Sequence, residues 1–381
     1  MIRRHGPAEV LIAEDSELFA EALREVFERD SGIMVVGIAI NGLEAVRLTA
    51  LLRPNVVTMD VKMPLMDGLE AIETIMAQTP TPVLVLSSDE RGPTGELSFE
   101  ALRRGAVELR LKPTAWPVPV EQQRELCELV KFLATVPVVR HMAGHRHRGA
   151  PPTTSAPVER ERRLAGLVAS SELSAAERAT GERQGAKVVG IVASTGGPAA
   201  LASILEGLPK DFGAPVVIVQ HLAPGFASTL AEWLDRVCSL RVRLAEENAE
   251  LRAGDVWVAP DGCHTLVTAG RRLHLATDST TPPDNHRPSG SRMLESLART
   301  VGPYAVGVVL TGMGADGASG LLEVMSAGGT TLVQDQESSV VWGMPQAAVK
   351  CKATRHVLPL TDIAVALVRC VGTTASHRGT P

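Results

Sequence analysis

The stretch Val188 to Leu201, VVGIVASTGGPAAL, constrains the chain more than any other. Val188, Val189, Ile191 and Val192 form a β-branched apolar run, the pattern of a strand buried on both faces of a parallel sheet. The run stops at Ala193-Ser194-Thr195-Gly196-Gly197-Pro198, and Pro198-Ala199-Ala200-Leu201 reads as the first turn of a helix. A serine at such a turn has its hydroxyl clear at the carboxyl edge of the sheet. The N–H groups of the helix start point the same way and can hold an oxyanion. On its own the stretch fits a nucleophile, a phosphate-binding turn or a plain strand–turn–helix.

Two later stretches favour the nucleophile. Val216-Val217-Ile218-Val219-Gln220-His221 is an apolar strand that delivers His221 at its carboxyl end. Val306 to Leu310 is another, followed by Thr311-Gly312-Met313-Gly314-Ala315-Asp316-Gly317, which puts Asp316 on a glycine-rich loop. Open α/β sheets bind ligands outside the carboxyl ends of their strands, and Ser194, His221 and Asp316 all fall there. The chain order is Ser…His…Asp, without G-x-S-x-G, so this triad differs from that of the α/β-hydrolases. His264, His274 and His286 are rival bases, but none follows a long buried strand.

These motifs carry a resemblance. ASTGGP, QHLAPGF, HRPS (286–289), LTGMGADGASGL (310–321) and WGMPQAA (342–348) resemble the catalytic domain of chemotaxis protein-glutamate methylesterases of the CheB type, from Lys187 to about Val371. The resemblance implies Ser194 as nucleophile, His221 as its base and Asp316 as the histidine's partner. N–H groups near Thr195 and Gly196, with the loop around Met313, would form the oxyanion hole. Val192 stands where the family usually has glycine, and Ser291 where it often has aspartate.

Residues 9 to about 136 alternate strand-like and helix-like segments, the pattern of a second parallel α/β domain. Ser16 is a candidate N-cap, followed by Leu18, Phe19, Ala22, Leu23, Val26 and Phe27 at helical spacing. Chemistry again collects at strand ends: Glu14 and Asp15 after the first, Asp60 after the third, Ser87 after the fourth, Lys112 after the fifth. Three carboxylates at one edge suit a hard divalent cation, typically Mg²⁺, although ordinary loop acids and a surface lysine would read the same way in isolation. With DVKMPLMDG (60–68), the set resembles the receiver domain of two-component response regulators. The resemblance implies Asp60 as phosphoacceptor, and Glu14, Asp15 and Asp60 with the Lys62 carbonyl as metal ligands. It makes Ser87 and Lys112 the switch hydroxyl and lysine.

The expected fold class is α/β: a doubly wound, flavodoxin-like receiver at 1–136, a linker at 137–185, a Rossmann-like methylesterase domain at 186–373 and a tail at 374–381. The linker is basic and then Pro/Ser/Thr-rich. In the catalytic domain, Gly254–Pro260 and 265–274 read as an antiparallel pair, and 330–334 as the last strand. A net charge of −5 argues against non-specific nucleic-acid binding. No apolar run reaches the ~18 residues of a membrane span, and no secretory leader is evident. Five scattered cysteines without C-x-x-C read as reduced thiols in a cytoplasmic protein.

The resemblances imply a phosphorylation-regulated esterase. Its substrates would be glutamate γ-methyl esters on chemoreceptors, with deamidation of receptor glutamines by the same route as a second activity, a histidine kinase as phosphoryl donor and no cofactor for the esterase itself. The alternatives are the same chemistry in a pathway that does not control swimming, or a phosphorylation-controlled binding module of low activity.

Overall fold

The computed structural model describes residues 6–88, 92–115, 117–136, 138, 187–277 and 286–371. Most of the expected linker and all of the tail lie outside these. The chain divides into two compact units, Met1–Ala150 and Pro151–Pro381.

The first unit alternates β1 (Ala8–Ala13), α1 (Glu17–Glu28), β2 (Ile33–Ala39), α2 (Gly42–Leu52), β3 (Val56–Asp60), α3 (Gly68–Gln78), β4 (Val83–Ser87), α4 (Gly92–Arg103), β5 (Glu108–Leu111) and α5 (Val120–Leu133). The sheet is parallel, in the order β2-β1-β3-β4-β5. The chain leaves β1 toward β2 on one side and returns to β3 on the other, opening a crevice at their carboxyl ends. Helix starts follow local chemistry. Ser16, Asn41 and Asp67 are N-caps whose side chains accept from the N–H groups of Phe19, Glu44 and Glu70. Helix α1 buries Ala20, Leu23, Val26 and Phe27. Leu18, which the helical spacing also marks, lies in the first turn of α1 and is instead 83% exposed. Each fully buried side chain such as Leu23 or Phe27 stabilises the unit by roughly 1.5–3 kcal/mol, so a charge at Leu11 in β1 would break the sheet.

The second unit contains β6 (Val188–Ala193), α6 (Gly197–Glu206), β7 (Val216–Gln220), α7 (Ala227–Val237), β8 (Arg241–Leu244), β9 (Asp255–Val258), β10 (His264–Thr268), β11 (Arg272–Ala276), α8 (Gly290–Val301), β12 (Ala305–Val309), α9 (Ala318–Ser326), β13 (Thr330–Gln334), α10 (Gly343–Lys350), β14 (His356–Leu358) and α11 (Leu360–Val371). Seven parallel strands run in the order β14-β13-β12-β6-β7-β9-β8. Strand β6 is central, with β7 on one side and β12 on the other. This is the point where the winding reverses. The three strands end level: Ala193 pairs with Gln220 and Val309 with Val192.

Two expectations need correction. Asp255–Val258 does not form a hairpin with the segment after it. Its Val256, Trp257 and Val258 are buried and it joins the main sheet between β7 and β8. The turn at Gly270 and Arg271, both with positive φ, closes β10 onto β11 instead. Two such residues in succession match the right-handed twist of a two-residue hairpin. Residues 330–334 are also not the last strand: β14 and α11 follow. Helix α11 buries Ile363, Ala366 and Leu367.

Candidate active site and acidic pocket

Ser194, His221 and Asp316 meet at the carboxyl ends of β6, β7 and the loop after β12. Backbone bonds fix the level of each: His221 N–H donates to Ala193 O at 3.0 Å and Ser194 N–H to Thr311 O at 3.0 Å. Asp316 is 2% exposed. Its carboxylate accepts from Ser289 Oγ (3.0 Å) and from the N–H groups of Gly290 (2.6 Å), Ser291 (2.9 Å) and Gly317 (2.9 Å). His221 Nε2 lies 2.9 Å from the same Oδ2 that Gly290 engages. Gly290 and Ser291 open α8, so the carboxylate also sits at the positive end of a helix. Burial would raise the Asp316 carboxyl, but the bond to His221 and its charge, with the Ser291 and Gly290 N–H groups, hold it far below the usual carboxylate range. It is a fixed anion at any working pH.

With Nε2 committed to Asp316, the other ring nitrogen of His221 is left for proton transfer. That Nδ1 is buried and has no hydrogen-bond partner among the described residues. The ring stacks on His286, centroids 4.1 Å apart at 12°. So His286, one of the rival bases, packs on the imidazole of His221. The other two are placed elsewhere: His264 is buried and its Nδ1 accepts from Ser289 N–H at 3.2 Å, while His274 meets Glu247 on the surface at 3.1 Å.

Ser194 is held by its backbone. Its carbonyl accepts from Gly197 N–H (2.7 Å) and from Gln220 Nε2 (2.8 Å), and Gln220 Nε2 also reaches His221 O (2.8 Å). One buried amide therefore ties the Ser194 turn to the His221 turn. Gly312 permits the close approach of the third loop, since a Cβ there would stand 2.6 Å from Ser194 Cβ and collide with Met344 Sδ. Thr311 Oγ1 joins the loops further, donating to Thr195 O (3.0 Å) and accepting from Val341 N–H (2.9 Å). Of the oxyanion-hole candidates, Thr195 is buried and Gly196 caps α6, whereas Met313 is 46% exposed beside the cleft.

In the first unit, ligand atoms of Glu14, Asp15 and Asp60 lie within 4.8 Å of one another at the β1/β3 crevice. Lys112 Nζ bridges two of them, 2.7 Å from Glu14 Oε2 and 2.8 Å from Asp60 Oδ2, and sits 4.7 Å over the Phe19 ring. Burial raises the Glu14 carboxyl, which the Lys112 bond and charge only partly offset and the Asp60 charge worsens. Burial alone would lower the Lys112 ammonium, but its bonds to Asp60 and Glu14 raise it. Ser87 ends β4, 1% exposed, and Lys62 N–H donates to Asp60 Oδ1 at 3.4 Å. Clustered oxygen ligands with a raised carboxyl fit a hard divalent cation, whose charge would relieve the repulsion.

Sequence reasoning missed three contributors. Gln220 carried a signal, since an amide ending a buried strand must find partners. The Ser289–Ser291 turn and Thr311 lie in or beside the HRPS and TGMG motifs, but their roles were not legible, because their contacts span 25 to 116 positions of sequence.

Fold and sites together define a receiver-type unit with an acidic pocket, followed by a parallel α/β unit that gathers Ser194, His221 and Asp316 at one sheet edge. Residues 189–367 match the CheB methylesterase family and residues 10–117 the response regulator receiver domain. The protein-glutamate methylesterase/protein-glutamine glutaminase 2 of Anaeromyxobacter dehalogenans is 42% identical over 95% of this chain and 96% of its own. Number 4 of Myxococcus xanthus is 39% identical over the same shares. The crystal structure of the Thermotoga maritima CheB methylesterase catalytic domain is 37% identical, covering 49% of this chain and 99% of that one at a TM-score of 0.47. The chain belongs to the CheB family of receiver-linked methylesterases. Among the described residues no helix is long and apolar enough to cross a membrane.

Proposed function

We propose that the second unit hydrolyses glutamate γ-methyl esters on chemoreceptors, and receptor glutamine amides by the same route, under control of phosphorylation at Asp60. The observation that carries the esterase reading is the His221–Asp316 pair, locked at the end of the strand beside the one that delivers Ser194. Ser194 Oγ attacks the ester carbonyl while its proton passes to His221 Nδ1. Asp316 fixes the tautomer with hydrogen on Nε2 and stabilises the imidazolium. N–H groups at Thr195 and Gly196, with the Met313 loop, receive the oxyanion. His221 returns the proton to the leaving methoxide, releasing methanol. Water, activated by the same nitrogen, then cleaves the acyl-enzyme to glutamate.

In the first unit Glu14, Asp15 and Asp60, with the Lys62 carbonyl, would hold Mg²⁺. The ion supplies charge neutralisation for the incoming phosphoryl group. Lys112 is placed to pair with a phosphoryl oxygen and Ser87 to donate to one, and a histidine kinase is the donor. The five free cysteines accord with a reducing cytoplasm. The test is methanol release from a methylated receptor, with and without acetyl phosphate and Mg²⁺. Turnover is expected, faster with the phosphodonor, and lowered about 10⁴–10⁶-fold in Ser194→Ala. Undiminished release by the alanine variant would sink the reading.

A further inference from the structure

Asp316 is oriented by backbone, and that backbone is seated on one side chain. Val192, fully buried at the end of β6, lies between the two turns that donate to the carboxylate. A Cβ at Gly290 would collide with Val192 Cγ1 and stand 2.7 Å from Cγ2. A Cβ at Gly317 would stand 3.3 Å from Val192 Cβ and Cγ1. Gly290 N–H makes the shortest bond to Asp316, to the very oxygen that holds His221 Nε2. Gly317 N–H bonds Asp316 Oδ1 and also Ser291 Oγ at 2.7 Å, which fastens the second turn to the first.

We propose that Val192 and Gly290 are a size-matched pair of positioning residues, which sets how the 289–291 turn grips Asp316 and so how His221 is aimed at Ser194. This rests on the triad reading given above. Gly290 lacks a positive φ, so its backbone conformation is open to any residue. The atoms that a side chain there would meet first all belong to Val192. Val192 stands where the family usually has glycine, and two bulky residues cannot face each other at this contact, so a side chain on β6 requires bare backbone at 290. Interiors are packed too tightly for both. Any added carbon must push the turn away from β6 and carry the Gly290 N–H with it.

The test is a reciprocal exchange in the full-length chain: Gly290→Val, Val192→Gly and the double variant, each measured for kcat, KM and thermal midpoint. Gly290→Val should lower kcat on the order of 100-fold with KM little changed, because the aim of the imidazole shifts and the substrate surface does not. Val192→Gly should lower the midpoint, from the cavity it leaves, and lower kcat only severalfold. The double variant should recover kcat to within about tenfold of the parent, a non-additivity expected only of residues in contact. If Gly290→Val does not fold, the exchange must restore both folded protein and turnover. A double variant no better than Gly290→Val, or one that regains the midpoint without kcat, overturns the proposal. Ser194→Ala is run beside these. Turnover surviving in that variant would remove the triad reading, while the coupling of the pair in thermal midpoint would still be read.

Discussion

Two carboxylate sites stand at the carboxyl ends of two parallel sheets, and they are built in opposite ways. Asp316 takes four hydrogen bonds from its own chain besides the one with His221, and its carboxyl is driven far down. Glu14, Asp15 and Asp60 crowd together around a single lysine, and the Glu14 carboxyl is driven up. A carboxylate that must only hold a histidine is best satisfied permanently. Under the proposed function, the other pocket would accept a cation and a phosphoryl group, and a pocket for such visitors has to be left short of positive charge. The difference is then between a finished site and one its visitors would complete.

The same exchange made in both sites should break the comparison most sharply. Asp316→Asn should lower kcat about 10⁴-fold, since an amide cannot hold the imidazole tautomer or its cation. It should leave labelling by acetyl phosphate and Mg²⁺ intact. Asp60→Asn should abolish the acid-labile label. Label persisting in the Asp60 variant would move the phosphoacceptor elsewhere.

Removing the incomplete site should matter less. If the unphosphorylated receiver restrains the esterase, the fragment 186–381 should exceed the unphosphorylated whole chain by about 5–150-fold, the usual span of such coupling. A fragment slower than the parent would make the receiver an activator. Gln220→Leu should act on the finished site alone. It strips the Gln220 donor from His221 O and one of two donors from Ser194 O, which keeps the Gly197 N–H, so the cost is roughly 1–3 kcal/mol for the His221 carbonyl, read as a lower thermal midpoint of the second unit.

The smallest effect separates the two by pH. Glu14 has a raised folded pKa, so its contribution to stability is present below the ordinary carboxylate range and lost as pH rises through the raised value. Mg²⁺ binds the ionised carboxylate and should restore what is lost. Calorimetry over a pH series should therefore find Mg²⁺ affinity rising with pH through the Glu14 titration. Asp316 has a depressed folded pKa, so its contribution is present above the ordinary range and is lost only in strong acid. A second unit indifferent to pH between 5 and 8 at this residue is the expected counterpart, checked by comparing Asp316→Asn with the parent across that range. Affinity independent of pH would remove Glu14 from the ligand set.

The sequence made the chemistry more legible than the topology. Ser194, His221 and Asp316 are found by following buried apolar runs to their ends, because both sheets are parallel and all such ends share one edge. Strands β8 and β14 escaped that rule. Arg241-Val242-Arg243-Leu244 alternates charge and apolar at a sheet edge, and His356–Leu358 is three residues long. Strand β9 was assigned to the wrong partner because its true neighbour β7 lies some 40 positions away, while a hairpin turn stands close by. Local signals are strong for turns and weak for distant pairing. The grip on Asp316 was hidden for the same reason: the side chain and its donors meet only once the sheet has formed.

The Gln220 amide has a consequence for motion. Because one NH₂ group spans the carbonyls of Ser194 and His221, neither turn can swing out alone without breaking a buried bond on the other. The Ser194 and His221 turns are therefore expected to open as one unit of the native state, as local unfolding in proteins proceeds by contiguous cooperative pieces. Deuterium should enter the backbone amides of the two residues, which are themselves bonded to Thr311 O and Ala193 O, at a common rate. A common rate would mean that fluctuation opens both turns together, so that a loose serine beside a fixed histidine is kept out of the ensemble.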